Sequence, residues 1–294
     1  ATAQEAVKLV EQNSDRYPVA LVCELLGISR TAFYKAQSSD LSPPKESNCS
    51  EDIELVRRIR LILKENPEFG YRRVWARLRF GPHPIKVNHK RVQRLMQIHN
   101  LQAKVKRYDA SRRKHDGKVE VNSPDLSWGT DMTKIWCGKD GWGSLFAIID
   151  HCDREIVGYR FSLDAYAARA REALDEAITY CFNGPHGVPE ELELRTDNGS
   201  QFGARLFKKE TSRLGIKLTN TAFRSPQGNA IIERFYRTLK EECVWQHRFE
   251  SFAQAETVIA KWIKYCNEER MHSRLGYSPP KRYHQALTLR KNTA

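Results

Sequence analysis

The chain has 294 residues, 49 Lys and Arg against 36 Asp and Glu, and a formal net charge of +13. That length admits a catalytic domain with smaller modules. The seven cysteines, an odd number without a C-x-x-C pair, argue against a disulfide framework or a zinc finger and read as small core residues. No apolar run is long enough to cross a membrane and no signal peptide is visible, so a cytoplasmic, nucleoid-associated protein without a membrane partner is expected. The charge is uneven: −1 over residues 1–50, +7 over 51–100, +4 over 101–124 and +3 over 125–294. A basic middle beside a nearly balanced half suggests a polyanion-binding module, with nucleic acid as its partner, attached to a globular domain. A basic surface that is merely solvated is the plainer alternative.

Residues 1–36 read as a helix-turn-helix-like segment. Leu21, Leu25 and Leu26 give an apolar face, Gly27 permits a tight turn, and Ser29 can cap a second helix carrying Arg30, Tyr34 and Lys35. Arg30 and Lys35 are thereby candidates for a DNA groove, and a plain helical hairpin is equally compatible with the pattern. Residues 37–50, polar with a Pro-Pro pair, read as a linker. Residues 51–103 carry three short amphipathic stretches, with Leu55, Ile59, Ile62 and Leu63, then Val74, Trp75 and Leu78, then Val92, Leu95 and Met96. Arg58, Arg72, Arg73, Lys90, Arg91 and Arg94 lie on their other sides, as expected of a basic helical DNA-binding unit. Residues 104–124 form a connector whose Lys104, Lys106, Arg107, Arg112, Arg113 and Lys114 can track a phosphate backbone with little reading of bases.

From about residue 125 the pattern alternates between strands and helices. Strands are expected at 127–133, 145–150, 156–161, 191–196 and 216–222. Helices are expected near 166–181 and 204–214, and another is opened by Ser225-Pro226. The order β-β-β-α-β-α-β-α predicts an α/β fold with a mixed sheet flanked by helices. That catalytic domain spans 125–249, followed at 250–294 by a last helix and a basic, aromatic tail.

Three acids stand out by position. Asp131 lies in the first strand, Asp197 directly follows the fourth, and Glu233 lies on the helix after Ser225-Pro226. On that helix Asn229, Glu233, Arg237 and Lys240 form one polar stripe. Hard divalent ions prefer carboxylate oxygens, and two such ions about 3.5–4 Å apart can activate an attacking oxygen and stabilise a leaving one in phosphodiester chemistry. Any one of these acids alone reads better as a turn or a cap. Their joint placement is what points to catalysis.

Longer stretches carry a resemblance. These are 129–133 (GTDMT), 148–158 (IIDHCDREIVG), 195–202 (RTDNGSQF), 225–240 (SPQGNAIIERFYRTLK) and the ending 272–280 (HSRLGYSPP), with 70–75 (GYRRVW) and 88–92 (NHKRV) upstream. They resemble bacterial insertion-sequence transposases whose catalytic domain is similar to retroviral integrase. The resemblance implies a ribonuclease-H-like fold preceded by small all-α DNA-binding units. It implies Asp131, Asp197 and Glu233 as catalytic metal ligands for two Mg2+ ions, with Mn2+ able to substitute. Asp131 would bridge both ions. It further implies a copy-out, paste-in route on double-stranded DNA, transposon ends and target alike, by a homodimer or larger assembly. Asn198, Arg234, Arg237 and Lys240 are candidates for contacting DNA near the scissile phosphate. Relatives of this kind often add an upstream-frame module with a coiled coil. No sustained heptad repeat is visible here, so a downstream-frame product or a truncated form is expected. Asp150 and His151 are read as structural. A non-catalytic DNA-binding regulator and a nuclease that cuts without joining are the competing readings.

Overall fold

A computed structural model describes residues 3–14, 16–39, 50–103, 121–197, 199–220 and 229–292. They fall into two compact units, residues 1–61 with 88–102, and residues 62–87 with 103–294. No helix among the described residues is long and apolar enough to cross a membrane.

The first unit opens with α1 (Ala3–Asn13), α2 (Val19–Leu25) and α3 (Arg30–Ser39). Gly27 takes a φ of 67°, the left-handed conformation that glycine tolerates best, and so turns the chain between α2 and α3. Ser29 Oγ accepts the Ala32 N–H at 3.1 Å and caps α3, as its position suggested. The expected apolar face of α2 is only partly right. Leu21 and Leu25 are 47% and 78% exposed, while Val22 and Cys23 pack with Val10 and Phe33. Of the expected leucines only Leu26 packs against that cluster. In so short a helix the buried stripe runs through 19, 22, 23 and 26, the i, i+3, i+4, i+7 positions from Val19. The unit continues into α4 (Ser50–Glu65), and α5 (Tyr71–Phe80) intervenes before α6 (His89–Ile98). Leu55 and Ile59 of α4 and Val92, Leu95 and Met96 of α6 are buried, as their spacing predicted. The α5 helix belongs to the second unit.

The second unit contains β1 (Ser127–Trp136), β2 (Trp142–Asp150), β3 (Ile156–Ser162), α7 (Ala167–Phe182), β4 (Glu193–Thr196), α8 (Ser200–Gly203), α9 (Arg205–Arg213), β5 (Lys217–Asn220), α10 (Ala230–Glu242), α11 (Phe252–Glu268) and α12 (Pro280–Asn292). The five strands form one mixed sheet in the order β3-β2-β1-β4-β5. The β1–β2 and β2–β3 pairs are antiparallel, and the β1–β4 and β4–β5 pairs are parallel. Alternation along β2 explains the layers. Phe146 and Ile148 pack with Leu174 and Phe207 of α7 and α9, while Leu145, Ala147 and Ile149 pack with Ile232 and Leu239 of α10 and Ile259 and Ile263 of α11. A strand covered on both faces must be apolar throughout, as residues 145–149 are. Gly158 lets α7 approach β3 closely: a Cβ there would come within 2.4 Å of the Ala173 carbonyl oxygen. Ser225 and Pro226 lie outside the described residues, and within them α10 begins at Ala230.

Candidate active site

In the parallel β1–β4 pair Ser127 lies opposite Glu193, Trp128 opposite Leu194 and Gly129 opposite Arg195. That register carried two residues further aligns Asp131 with Asp197 on neighbouring strand paths, which are spaced about 4.8 Å apart. Side chains alternate, so Asp131 shares the sheet face of Ile135, against which Ile232 and Leu239 of α10 pack. Two hydrogen bonds tie α10 to β1. Asn229 Nδ2 donates to the Thr130 carbonyl at 3.1 Å, and the Tyr236 hydroxyl donates to the backbone oxygens of Asp131 and Leu145. Glu233 lies between these ties. Gly129 is needed beneath them, because a Cβ there would meet His151 Nε2 at 2.5 Å and Asn229 Oδ1 at 3.3 Å.

The electrostatics agree with this convergence. Burial raises the Asp131 carboxyl to about 6; Asp197 and Glu233 add to the rise, while the Met132 N–H and Lys240 oppose it. Glu233 is also raised, by partial burial and then by Asp197. Mutual repulsion of this kind requires the three carboxyls to be near one another. Asp131 Oδ1 accepts the Met132 N–H at 2.7 Å, and Asp197 Oδ1 accepts the Gly199 N–H at 2.9 Å. The donor set is three carboxylates without thiolate or imidazole. That chemistry fits a hard divalent cation, whose charge would offset the repulsion. Asn198 lies outside the described residues.

The cations expected to meet DNA are placed unequally. Arg91 Nε and Arg94 Nη2 bond the two oxygens of Asp52, itself 3% exposed, at 2.7 and 3.1 Å. Arg58 pairs with Glu54 one turn earlier on α4 at 2.9 Å. Arg73 bonds the buried Glu242, which Arg270 also grips through two nitrogens at 2.7 and 2.8 Å. Burial would raise the Glu242 carboxyl, but Arg270 and Arg73 overrule it and hold it below the usual range. Arg237 pairs with Glu241 at 2.8 Å on the exposed side of α10, a surface contact of little energy. Arg30, Arg72, Lys90 and Arg234 are exposed, and Lys240 is half-buried near Asp131. The side chain of Lys35 and all of Lys104, Lys106, Arg107, Arg112, Arg113 and Lys114 lie outside the described residues.

A second acidic cluster was not legible as such. Asp153 and Glu155 meet His284 of α12, their ligand atoms all within 4.8 Å of one another. His284 Nδ1 contacts Asp153 Oδ2 at 2.7 Å, and this bond pushes the imidazole up to about 9, so it is an imidazolium at neutral pH. The Tyr180 hydroxyl donates to Glu155 at 2.7 Å. Asp150 accepts the N–H groups of Cys152, Asp153 and Asp125, consistent with a structural turn. His151 is buried at the strand end beside the Ser127 hydroxyl, and burial lowers it to about 4. Tyr236 is not among the residues the sequence singles out, yet its hydroxyl anchors the carboxylate-bearing strand. Its amphipathic side chain was the available signal.

Two models described as integrase core domain match residues 121–226 and 214–280, and a model described as HTH-like domain matches residues 50–108. The chain is 29% identical over 274 residues to the transposase InsD for insertion element IS2A/D/F/H/I/K of Escherichia coli, covering 90% of each protein. It is equally similar to the transposase InsD for insertion element IS2-9 of Escherichia coli strain K12, covering 90% of this chain and 88% of that one. Among solved structures, a chain of the simian T-cell lymphotropic virus intasome in complex with PP2A regulatory subunit B56 gamma aligns with a TM-score of 0.49 and 14% identity, over 77% of this chain and 74% of that one. The HTLV-2 integrase catalytic core domain in complex with magnesium aligns with a TM-score of 0.43 and 17% identity, over 55% of this chain and 97% of that one. With a ribonuclease-H-like mixed sheet in place and matches that run from the helical region to the C-terminal helices, the chain belongs to the insertion-sequence transposases with an integrase core domain, and it is a polynucleotidyl transferase of the DDE class.

Proposed function

We propose that this transposase binds the ends of an insertion sequence, cleaves one DNA strand there, and joins the freed 3′-hydroxyl to a second phosphodiester. The observation that carries the reading is the convergence of Asp131, Asp197 and Glu233 on one sheet face, with mutual repulsion that a bound divalent cation would relieve. These three residues would hold two divalent ions of the Mg2+ type. When bound, such ions supply Lewis-acid activation of the attacking oxygen and stabilisation of the leaving one. The protein's own part is positional. The amides of Met132 and Gly199 fix one oxygen of each aspartate and so set the direction of the other. Tyr236 and Asn229 lock the α10 helix to β1, which sets where Glu233 stands relative to Asp131.

In the cleavage step water forms a new bond to phosphorus as the bond to O3′ breaks, leaving a 3′-hydroxyl and a 5′-phosphate. In the joining step that hydroxyl forms the new bond and another O3′ leaves, so one P–O bond replaces another. Joining near the opposite end of the same strand would give the copy-out circle that is later inserted. Arg234, Arg237, Lys240 and Asn198 would lie along the DNA next to the scissile phosphate. Residues 1–36, 51–103 and the basic connector 104–124 would also grip it, as parts of a dimer or larger assembly that brings two ends together.

The test is a pair of isosteric variants, Asp197→Asn and Glu233→Gln, assayed on labelled element ends. Cutting and joining should both vanish while DNA binding in EDTA persists. Cleavage retained in both variants would sink the assignment. A wild-type product that is cut and never joined, with either Mg2+ or Mn2+, would favour a simple nuclease.

A further inference from the structure

A cavity of about 500 Å³ opens on the α10 face next to the one that bears Glu233. Six arginines line it: Arg72, Arg73, Arg154, Arg234, Arg270 and Arg274. No carboxylate is among its lining residues in the described part of the chain. Phe235, Trp262, Met271 and Tyr277 supply an apolar wall. Arg73 and Arg270 share Glu242 behind that wall, so their charge is partly compensated. Arg154 is held differently. Its φ is 66°, a left-handed backbone that a side-chain-bearing residue adopts at a cost, and its buried Nη1 has no hydrogen-bond partner among the described residues. Burial, and then Arg274 beside it, disfavour its charge. Burial, and after it Arg270, Arg73 and Arg154, push His272, a lining residue, down to about 3.

A strained, desolvated guanidinium with an orphaned donor is a poor choice for stability and a good one for an anion. The volume is that of a small-ligand pocket, too confined for a duplex and sufficient for a nucleotide. The mixture of guanidinium groups and aromatic walls suits a phosphate together with an unstacked base. We propose that this cavity takes an unpaired nucleotide of the DNA strand beside the active site, its phosphate held by Arg154 and Arg274 and its base laid against the Phe235–Trp262 wall. The inference rests on the transposase reading above and deepens it: a DNA end would be frayed, and its unpaired nucleotide parked, next to the carboxylates. A continuous duplex would instead track the exposed basic surface.

The experiment uses the full chain in EDTA, so that cutting and joining are silent, and follows fluorescence anisotropy at about 0.1 M salt. Two labelled probes are compared, a short blunt duplex and the same duplex with a short unpaired extension. Wild type should prefer the extended probe by about tenfold. Arg154→Gly and Arg274→Ala should each bring that preference close to parity, leave blunt binding within about twofold, and lower the salt slope on the extended probe by about 0.7. Arg154→Gly should also raise Tm by about 2–4 °C, because glycine accepts the left-handed φ and the like-charge contact is gone; a purely structural arginine would lower it. Preference that survives in both variants, or equal loss on both probes, overturns the proposal. Equal wild-type binding to both probes overturns the pocket alone. Wild type binding neither probe overturns the transposase reading along with it.

Discussion

Two groups of acids in the same unit behave in opposite ways. Asp150, Asp153 and Glu155 are 1%, 0% and 3% exposed, deeper than Asp131 or Glu233, and burial alone should make them the costlier set. They are nonetheless satisfied locally: Asp150 by three backbone N–H groups, Asp153 by the His284 imidazolium, Glu155 by the Tyr180 hydroxyl. Asp131, Asp197 and Glu233 are nearer to solvent and lack such neutralisation among the described residues. Their opposing groups are single amides and a half-buried Lys240, which leave Asp131 at about 6. Depth therefore does not mark the proposed site. Missing local compensation does, because a site built for a cation and a phosphate must keep its charge available.

Substitution should separate the two groups most sharply. Asp197→Asn and Glu233→Gln should lower strand cleavage by about a thousandfold or more, measured on labelled DNA, with Tm unchanged or slightly higher because repulsion is relieved. A large loss of Tm would remove the contrast. Glu242→Gln should have the largest stability effect, about 3–5 kcal/mol by urea unfolding, since it leaves Arg73 and the buried Arg270 without their anion. Asp153→Ala should cost about 2–4 kcal/mol by the same measurement and leave metal-dependent chemistry in place once folded.

Smaller effects follow from titration. The Asp131 carboxyl is raised in the folded state, so its contribution to stability is complete below about pH 4 and is lost as the pH rises through about 6. Mg2+ should therefore raise Tm by several degrees at pH 7.5 and much less at pH 5, and Asp197→Asn should abolish the difference. His284 is raised as well. Its ion pair contributes fully below about pH 6.5 and is lost as the pH climbs through about 9. After discounting for its partial exposure, stability should fall by about 1–2 kcal/mol over that interval in wild type and stay flat in His284→Ala.

Much of this was legible locally. The unbroken apolar run of residues 145–149, the Gly27-x-Ser29 turn, and the placement of Asp131 in the first strand with Asp197 just past the fourth are short-range patterns, and they recur in the structure as β2, the α3 cap and the β1–β4 pairing. The fates of the arginines were not legible. Arg91 and Arg94 find Asp52 from 39 and 42 residues away, and Arg73 finds Glu242 across 169. A basic helical stripe looks the same whether its partner is DNA or a distant carboxylate. His284 and Arg154 carry no local signature for a related reason: their meaning lies in a bond made by α12 to a turn and in a backbone angle. Neither leaves a periodic trace.

Strand β1 is bonded on both sides, to β2 along its whole length and to β4 along its start. Its amides should be among the slowest to exchange with solvent, since their release requires opening the middle of the sheet. Asp197 instead lies one residue past the end of the four-residue β4, and Glu233 rides on a helix joined to β1 by side-chain hydrogen bonds. The three carboxylates thus differ in the free energy needed to displace them. One is a fixed reference point in the sheet, Glu233 is locked to it through α10, and Asp197, past the end of a four-residue strand, is the most readily displaced, so a small rearrangement at the β4–α8 corner would move it without loosening the strand that carries Asp131.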